Sequence, residues 1–150
     1  MLRFMTQLRI SEAAALLGVS DDTVRRWIER GELTAHADTA GRKTVAGAEL
    51  ARLAQHRAAG RGAGASAGTG RRGGAESSAD TAVSARNSFR GLVTAVKSDP
   101  VMSQVDIQCG PYRVVSLIST EAVREMGLEP GSLATAQVKA TNVVIEGAPE

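Results

Sequence analysis

The chain has 150 residues and a formal net charge of +2 at pH 7, so its length allows one domain or two small ones, and its net charge is not extreme. Its single cysteine, Cys109, excludes an intrachain disulfide, and with only His36 and His56 as histidines we expect no zinc cluster. No apolar stretch approaches the roughly 20 residues of a membrane span, and the first ten residues lack a signal-peptide pattern. We therefore expect a cytoplasmic protein.

The composition divides the chain into two parts. Residues 58–83 are rich in Gly, Ala and Ser and contain no apolar residue larger than Ala before Val83. Such a segment buries too little surface to offset its ordering entropy, so we predict a flexible linker. It also carries Arg61, Arg71 and Arg72, which extends a basic excess from the N-terminal half. The predicted domains are 1–57 and 84–150, and each is small enough to need a partner subunit for stability.

The N-terminal domain begins with two predicted helices. Ser11 is a candidate N-cap for a first helix that ends at Gly18, and Ser20 is a candidate N-cap for a second helix over 21–30. Two helices joined by a Gly-centred turn form a helix-turn-helix. On the second helix Val24, Trp27 and Ile28 share one face, which we expect to pack inward.

The outward face of this second helix is basic and hydroxyl-bearing. It carries Thr23, Arg25, Arg26 and Arg30, and such side chains suit phosphates and guanine edges in the major groove of double-stranded DNA. Downstream, two short extended pieces surround residues 38–41, with Arg42 and Lys43 at the tip of a predicted hairpin wing, before a last helix over 46–57. The alternative is that these cations only solubilise the surface.

The strings AAALLGVSDDTVRRWIERGEL and AGRKTV carry a family resemblance. Residues 8–57 resemble the MerR, excisionase and BldC-like winged helix-turn-helix families. The resemblance implies that Thr23, Arg25 and Arg26 enter the DNA groove, while Arg42 and Lys43 lie on the wing.

The C-terminal domain changes to a period of two. Alternation is clearest over 101–108, and comparable strand patterns occur at 91–96, 112–118, 133–138 and 142–145. Ser119 or Thr120 caps a short predicted helix over 121–126 that Gly127 ends. Five short strands and one helical turn predict a small barrel of the oligonucleotide/oligosaccharide-binding type, so the whole chain is predicted to be α+β with two domains.

Three strings in this half carry a second resemblance: Ser84-Ala85-Arg86-Asn87, Ile118 to Gly131, and Val138 to Val143. In this order and spacing, residues 84–146 resemble the Mop family of molbindin or TOBE-type oxyanion modules. The resemblance implies a molybdate or tungstate ligand, no redox cofactor, and a homo-oligomer in which neighbouring subunits contribute to each ligand site.

The residue types fit this chemistry. A tetrahedral dianion needs several donors converging on its oxygens. Ser84 and Ser119 offer hydroxyls, Lys139 offers a charge, and the Ala85-Arg86 region and the start of the short helix offer backbone N–H groups.

One position departs from the family pattern Ile-Thr-x-x-Ser: Ala122 stands where the family has serine, which removes one hydroxyl donor. The loss of one hydrogen bond to a charged ligand costs roughly 1.5–3 kcal/mol, or about ten-fold to a hundred-fold in affinity. Whether the neighbouring Thr120 compensates depends on where its side chain points.

The two halves together predict a transcription regulator that senses an oxyanion. Because a flexible linker transmits geometry poorly, we expect ligand control through the number of tethered DNA-binding heads. One alternative is a molybdate buffer or storage protein whose N-terminal half docks a partner protein. Another is a constitutive DNA-binding protein whose β-domain only oligomerises, with Arg86 and Lys139 as ordinary surface charges. No nucleophile–base pair stands out, so we do not expect an enzyme or a directly bound metal.

Overall fold

A computed structural model describes residues 6–60 and 83–147, and the predicted linker lies mostly outside these ranges. The described residues form an α+β structure. The winged-helix module contains, in chain order, strand β1 (Gln7–Arg9), helices α1 (Ile10–Leu17) and α2 (Asp21–Glu29), strands β2 (Ala35–Ala37) and β3 (Lys43–Ala46), and helix α3 (Gly47–Gly60). No helix in the described ranges has the length and apolarity to cross a membrane.

The helix-turn-helix forms where the sequence predicts it. Gly18 ends α1 in the left-handed region with φ +66°, and Ser20 caps α2 by accepting a hydrogen bond from the Thr23 amide at 3.2 Å. The prediction of Ser11 as the first N-cap is wrong. The N-cap is Arg9, two residues earlier, so helix α1 begins at Ile10, and the Glu12 carboxylate accepts a hydrogen bond from the Arg9 amide at 2.9 Å.

The predicted wing is confirmed as a hairpin of β2 and β3. The sheet has the order β1-β3-β2, and all its pairs are antiparallel. Helix α3 follows β3 at once and continues to Gly60, so residues 58–60 are helical rather than part of a linker. The wing therefore lies between α2 and α3 along the chain.

A cation–π contact helps to hold α3 on the helix-turn-helix. The Arg57 guanidinium lies 4.3 Å from the centroid of the Trp27 ring, and its Nη2 is 2.7 Å from the Glu32 carboxylate. The buried core contains Val24, Trp27 and Leu50, while Ile28 is partly buried. The predicted inward face of α2 is thus correct.

The β-domain is a four-stranded antiparallel sheet with one helix. Its strands are β4 (Asn87–Ser98), β5 (Met102–Cys109), β6 (Tyr112–Ser119) and β7 (Leu133–Val138), in the order β6-β5-β4-β7. Helix α4 (Thr120–Glu125) lies between β6 and β7 along the chain, and its Val123 belongs to the hydrophobic core of the β-domain. A bulge between Val93 and Ala95 shifts the register of β4 against β5.

The predicted fifth strand, over 142–145, is absent from the structure. Residues Ala140–Asn142 form a 3-10 turn, and the chain then continues to 147 without pairing to the sheet. The side chains of Val144 and Ile145 are 90% and 85% exposed. Within the described residues β6 and β7 are both edge strands, so a single chain does not close a barrel. The apolar pattern alone predicted a strand, but a strand needs a neighbour to pair with.

The two modules pack directly against each other. Leu92 of β4 is fully buried and belongs to the same core as Leu50, and Leu133 of β7 packs beside it. The backbones also approach closely where Gly47 meets Gly131 and where Gly18 meets the Gly110–Pro111 turn. The described parts of the chain therefore share one continuous core between the modules.

Candidate functional site

The predicted DNA-contacting residues lie on one exposed face of α2 and on the wing. Arg25 and Arg26 are exposed on α2, and Arg30 is exposed at the C-terminal cap of this helix. Arg42 and Lys43 are exposed at the end of the wing turn and the start of β3. Thr23 is half-buried, and its hydroxyl lies 2.9 Å from the Ser20 hydroxyl. The Thr23 side chain thus supports the helix cap, so it is less available to a base than the arginines are.

Ion pairs divide these cations into two groups. Arg25 lies 3.4 Å from Asp22, Arg30 lies 3.9 Å from Glu32, and Arg42 lies 3.1 Å from Asp38. Arg26 and Lys43 have no acidic partner among the described residues. A cation without an intramolecular ion pair has no such interaction to break when it binds a phosphate. Arg26 and Lys43 are therefore the strongest candidates for phosphate contacts.

Asp38 organises the wing tip. One carboxylate oxygen accepts the amides of Ala40 and Arg42, each at 2.8 Å, and the other accepts Arg42 Nε at 3.1 Å. The hydrogen bond from the Arg42 amide is the main reason that the pKa of Asp38 is lowered. Gly41 takes φ +74° in the same turn. The wing tip is therefore a fixed turn that places Lys43 at the start of β3.

The predicted oxyanion residues fall into two groups within the chain. The first group, which we name the first half-site, consists of Ser84, Ala85, Arg86 and Lys139. Strand β4 pairs with β7 from Asn87, which is opposite Val138, so Arg86 and Lys139 flank the same end of this pair. Asn87 Nδ2 also donates to the Val138 carbonyl at 3.1 Å. The side chains of Ser84, Arg86 and Lys139 are exposed, and Ala85 is half-buried.

The second half-site consists of Ser119 and Ala122 at the start of α4. Ser119 is the N-cap, and its Oγ accepts a hydrogen bond from the Ala122 amide at 3.1 Å. The Ala122 N–H is therefore occupied inside the chain, whereas the Ser119 hydroxyl hydrogen is still available to a ligand. The methyl group of Ala122 offers no donor.

Thr120 does not replace the missing serine hydroxyl. Its side chain points inward, where the hydroxyl donates to the Asp99 carbonyl at 2.8 Å and lies 2.9 Å from the Ser103 hydroxyl. Only 4% of Thr120 is exposed. The second half-site consequently offers one side-chain hydroxyl, that of Ser119.

The two half-sites lie at opposite ends of β4. The first half-site lies next to Asn87, where β4 begins. The second lies near Ser98, where β4 ends, because Ser98 pairs with Ser103 of β5, and the neighbouring Met102 pairs with Ser119. The 12 residues of β4 correspond to roughly 40 Å of extended strand. Within the described residues, the sheet of a single chain therefore keeps the two half-sites apart.

Cys109 and Asp106 of the β-domain have structural environments. Burial raises the pKa of the Cys109 thiol, which disfavours the nucleophilic thiolate. Burial alone would raise the pKa of Asp106 too, but hydrogen bonds from Gln104 and Arg113 outweigh it and hold that pKa low. Across residues 6–60 and 83–147, no three His, Cys, Asp or Glu side chains are grouped to hold a metal ion.

Two family models match the chain, one on each module. A helix-turn-helix domain matches residues 8–58, and a TOBE domain matches residues 83–145. Molybdenum-pterin-binding protein 3 of Clostridium pasteurianum is 37% identical over 65 residues, which are 43% of this chain and 96% of that protein. The chain belongs to the molybdenum-pterin-binding protein family.

Two further proteins are similar to part of this chain. The molybdenum transport protein ModE of Herbaspirillum seropedicae is 36% identical over 63 residues, which are 41% of this chain and 23% of that protein. The solved structure of MopII from Clostridium pasteurianum has 36% identity and a TM-score of 0.41, and the match covers 44% of this chain and all of that one. The molybdenum-pterin-binding family and the helix-turn-helix domain are both binding families rather than enzyme families.

Sequence reasoning missed the residues that join this family's β-domain to the winged-helix module. Leu92, Gly47 and Gly131 make these contacts. One signal was present: Leu92 and Val93 are adjacent, which indicates a strand buried on both faces. The partner of the second face was not identifiable from the pattern.

Proposed function

We propose that this chain is a DNA-binding transcription regulator that responds to molybdate or tungstate bound between the β-domains of neighbouring subunits. The observation that carries this proposal is the presence of a helix-turn-helix domain and a TOBE domain on one chain, with the predicted oxyanion donors divided between opposite ends of the β-domain.

The division of the donors supports a site made by two subunits. Arg86 and Lys139 would supply positive charge and Ser119 would supply a hydroxyl, and these groups meet only if one subunit's first half-site faces another's second half-site. Oxyanion binding and homo-oligomer assembly are then linked, because the ligand binds the assembled form in preference.

Free surfaces of the β-domain support the same proposal. Strands β6 and β7 have unpaired edges within residues 6–60 and 83–147, and Leu117 on β6 is 67% exposed. Residues 143–145 are apolar and exposed. Exposed apolar segments next to open sheet edges favour association with a second copy.

The winged-helix module supplies the DNA contacts in this proposal. Helix α2 would enter the major groove, and Arg26 on this helix and Lys43 on the wing would contact the phosphate backbone. Two heads held in one assembly would engage paired half-sites, so the ligand would alter DNA affinity by altering the assembly.

Calorimetric titration of the whole chain with molybdate, tungstate, sulfate and phosphate tests the ligand. We expect saturable binding of molybdate or tungstate without comparable binding of phosphate, and at least ten-fold weaker binding for Lys139→Ala, since the dianion loses a cation. Arg52→Ala is the matched control because it removes an exposed cation from the other module. DNA binding measured with and without the bound oxyanion then tests the regulator. DNA affinity that is unchanged by a bound oxyanion would contradict the proposal.

A constitutive DNA-binding protein is the second candidate. The absence of a hydroxyl at Ala122, together with the Ala122 amide being occupied by Ser119, favours it. In that case folded, assembled protein would bind DNA tightly and would give no heat with any of the four anions.

A further inference from the structure

The winged-helix module shares its hydrophobic core with the β-domain. Leu92 is fully buried beside Leu50 although the two residues are separated by the segment over 61–82. We infer that the DNA-binding module is a fixed part of the β-domain rather than a tethered head, and that assembly of the β-domains directly sets the positions of the recognition helices. The ligand part of this inference rests on the proposed function.

A contact between two glycines makes the docking close. A Cβ at Gly47 would lie 2.5 Å from the Gly131 carbonyl oxygen, and a Cβ at Gly131 would lie 2.6 Å from the Ala48 nitrogen. Gly131 also has φ +100°, which disfavours any side chain. The first turn of α3 therefore touches the backbone of the turn that leads into β7, with no room for a methyl group.

Two more contacts fix the orientation of the modules. The Gly110 amide, in the turn between β5 and β6, donates to the Leu16 carbonyl of α1 at 2.8 Å. The side-chain amide of Gln55 on α3 donates to the Thr94 carbonyl at the bulge of β4. Together with the glycine contact, these bonds join α1 and α3 to separate points on the β-domain, so the modules cannot rotate freely about one contact.

Each half-site is connected, through a few residues of the chain, to a residue that contacts the winged-helix module. Strand β4 begins next to the first half-site and, five residues on from Asn87, places Leu92 in the core of the winged-helix module. Helix α4 begins with the second half-site and leads through the following turn to Gly131. Ligands bound at the two half-sites of one subunit would thus act on the two segments that contact α3.

Docked and tethered DNA-binding modules differ in how DNA affinity depends on the length of the connecting segment. In a tethered protein, the length of the segment over 61–82 sets the effective concentration of the heads on DNA. In a docked protein, the packing of the modules sets their separation, and the length of that segment has little influence.

The test uses Gly47→Ala in the whole chain. Alanine is favoured over glycine in a helix, so α3 should still form, while the added methyl group should separate the modules. The Gly110 amide reports docking without ligand or DNA, because its acceptor lies in the other module. We expect this amide to be protected from hydrogen exchange in the wild-type protein and to exchange at least ten-fold faster in the variant. Gly147→Ala is the matched control, since a methyl group there meets nothing within 4 Å.

DNA binding provides the second readout. We expect Gly47→Ala to bind molybdate as the wild type does but to lose most of the effect of molybdate on DNA affinity. Gln55→Ala should weaken the same response in part. Deletion of residues 66–75 should change the DNA affinity by less than about two-fold, because docking and not the connecting segment positions the heads.

The exchange and DNA-binding experiments distinguish failure of the docking inference from failure of the proposed function. Rapid exchange of the Gly110 amide in the wild type, or a molybdate response unchanged by Gly47→Ala despite faster exchange, would overturn the inference. Strong dependence of DNA affinity on the deletion would also overturn it. A protected Gly110 amide in a protein whose DNA affinity ignores molybdate would support fixed docking and reject the proposed function.

Discussion

Leu92 of β4 lies in the same buried core as Leu50 of α3, although the two residues belong to different modules. The core of the winged-helix module is small, and Leu92 supplies one of its fully buried large side chains. The stability of the winged-helix module therefore depends on the β-domain, and the two should unfold together.

Leu92→Ala should destabilise both modules. Truncation of a fully buried leucine costs about 2–5 kcal/mol, because the cavity collapses only in part. Calorimetry should show one unfolding transition in the wild type at a temperature well above that of the variant. Val101→Ala, at an exposed position just before β5, is the control and should change the free energy of unfolding by less than about 0.5 kcal/mol. Two separate transitions in the wild type would contradict this prediction.

Ala122→Ser should strengthen oxyanion binding. The new hydroxyl would stand next to Ser119 at the start of α4 and add one hydrogen bond to a charged ligand, which is worth about ten-fold to a hundred-fold in affinity. Titration with molybdate measures the change, and Ala122→Val tests whether the gain comes from the hydroxyl rather than from bulk. Equal affinity of the serine variant and the wild type would mean that position 122 does not contact the ligand.

Lys43→Ala should weaken binding to all DNA sequences by a similar factor. Lys43 is exposed at the wing and has no acidic partner in the described ranges, so we expect it to neutralise one phosphate. Loss of one phosphate contact reduces the slope of log K against log salt by about 0.9. Binding measured at several salt concentrations gives that slope. Arg124→Ala, which removes an exposed cation from α4, should leave it unchanged.

Arg113→Ala should reduce stability at neutral pH but not in strong acid. Arg113 lies 2.5 Å from the Asp106 carboxylate and helps to keep its pKa below the ordinary value. Because the folded-state pKa is lowered, this stabilisation is present above the unfolded pKa and is lost as the pH falls through the folded value. We expect a loss of about 0.5–1 kcal/mol at pH 7, since Arg113 is more than half exposed. Urea unfolding at pH 7 and pH 2 measures both values, and an equal loss at the two pH values would contradict the prediction.

Local structure and family resemblance follow from short stretches of the sequence. Gly18 and Ser20 punctuate the helix-turn-helix because glycine tolerates positive φ and serine caps an N-terminus, and the alternation over 101–108 specifies a strand. These signals depend on neighbours within a few residues. Residues 142–145 show that such local signals are not sufficient to form a strand. A strand also needs a neighbouring strand to pair with, and the described residues provide none there.

The surroundings of each candidate residue depend on contacts between distant segments of the chain. Thr120 and Ser119 are adjacent in sequence, but the Thr120 hydroxyl is used inside the core while the Ser119 hydroxyl caps an exposed helix end. The separation of the half-sites along β4, and the seating of Gly47 on Gly131, also depend on contacts between residues far apart in sequence. Periodicity gives the face on which a residue lies, whereas packing between elements determines its partner.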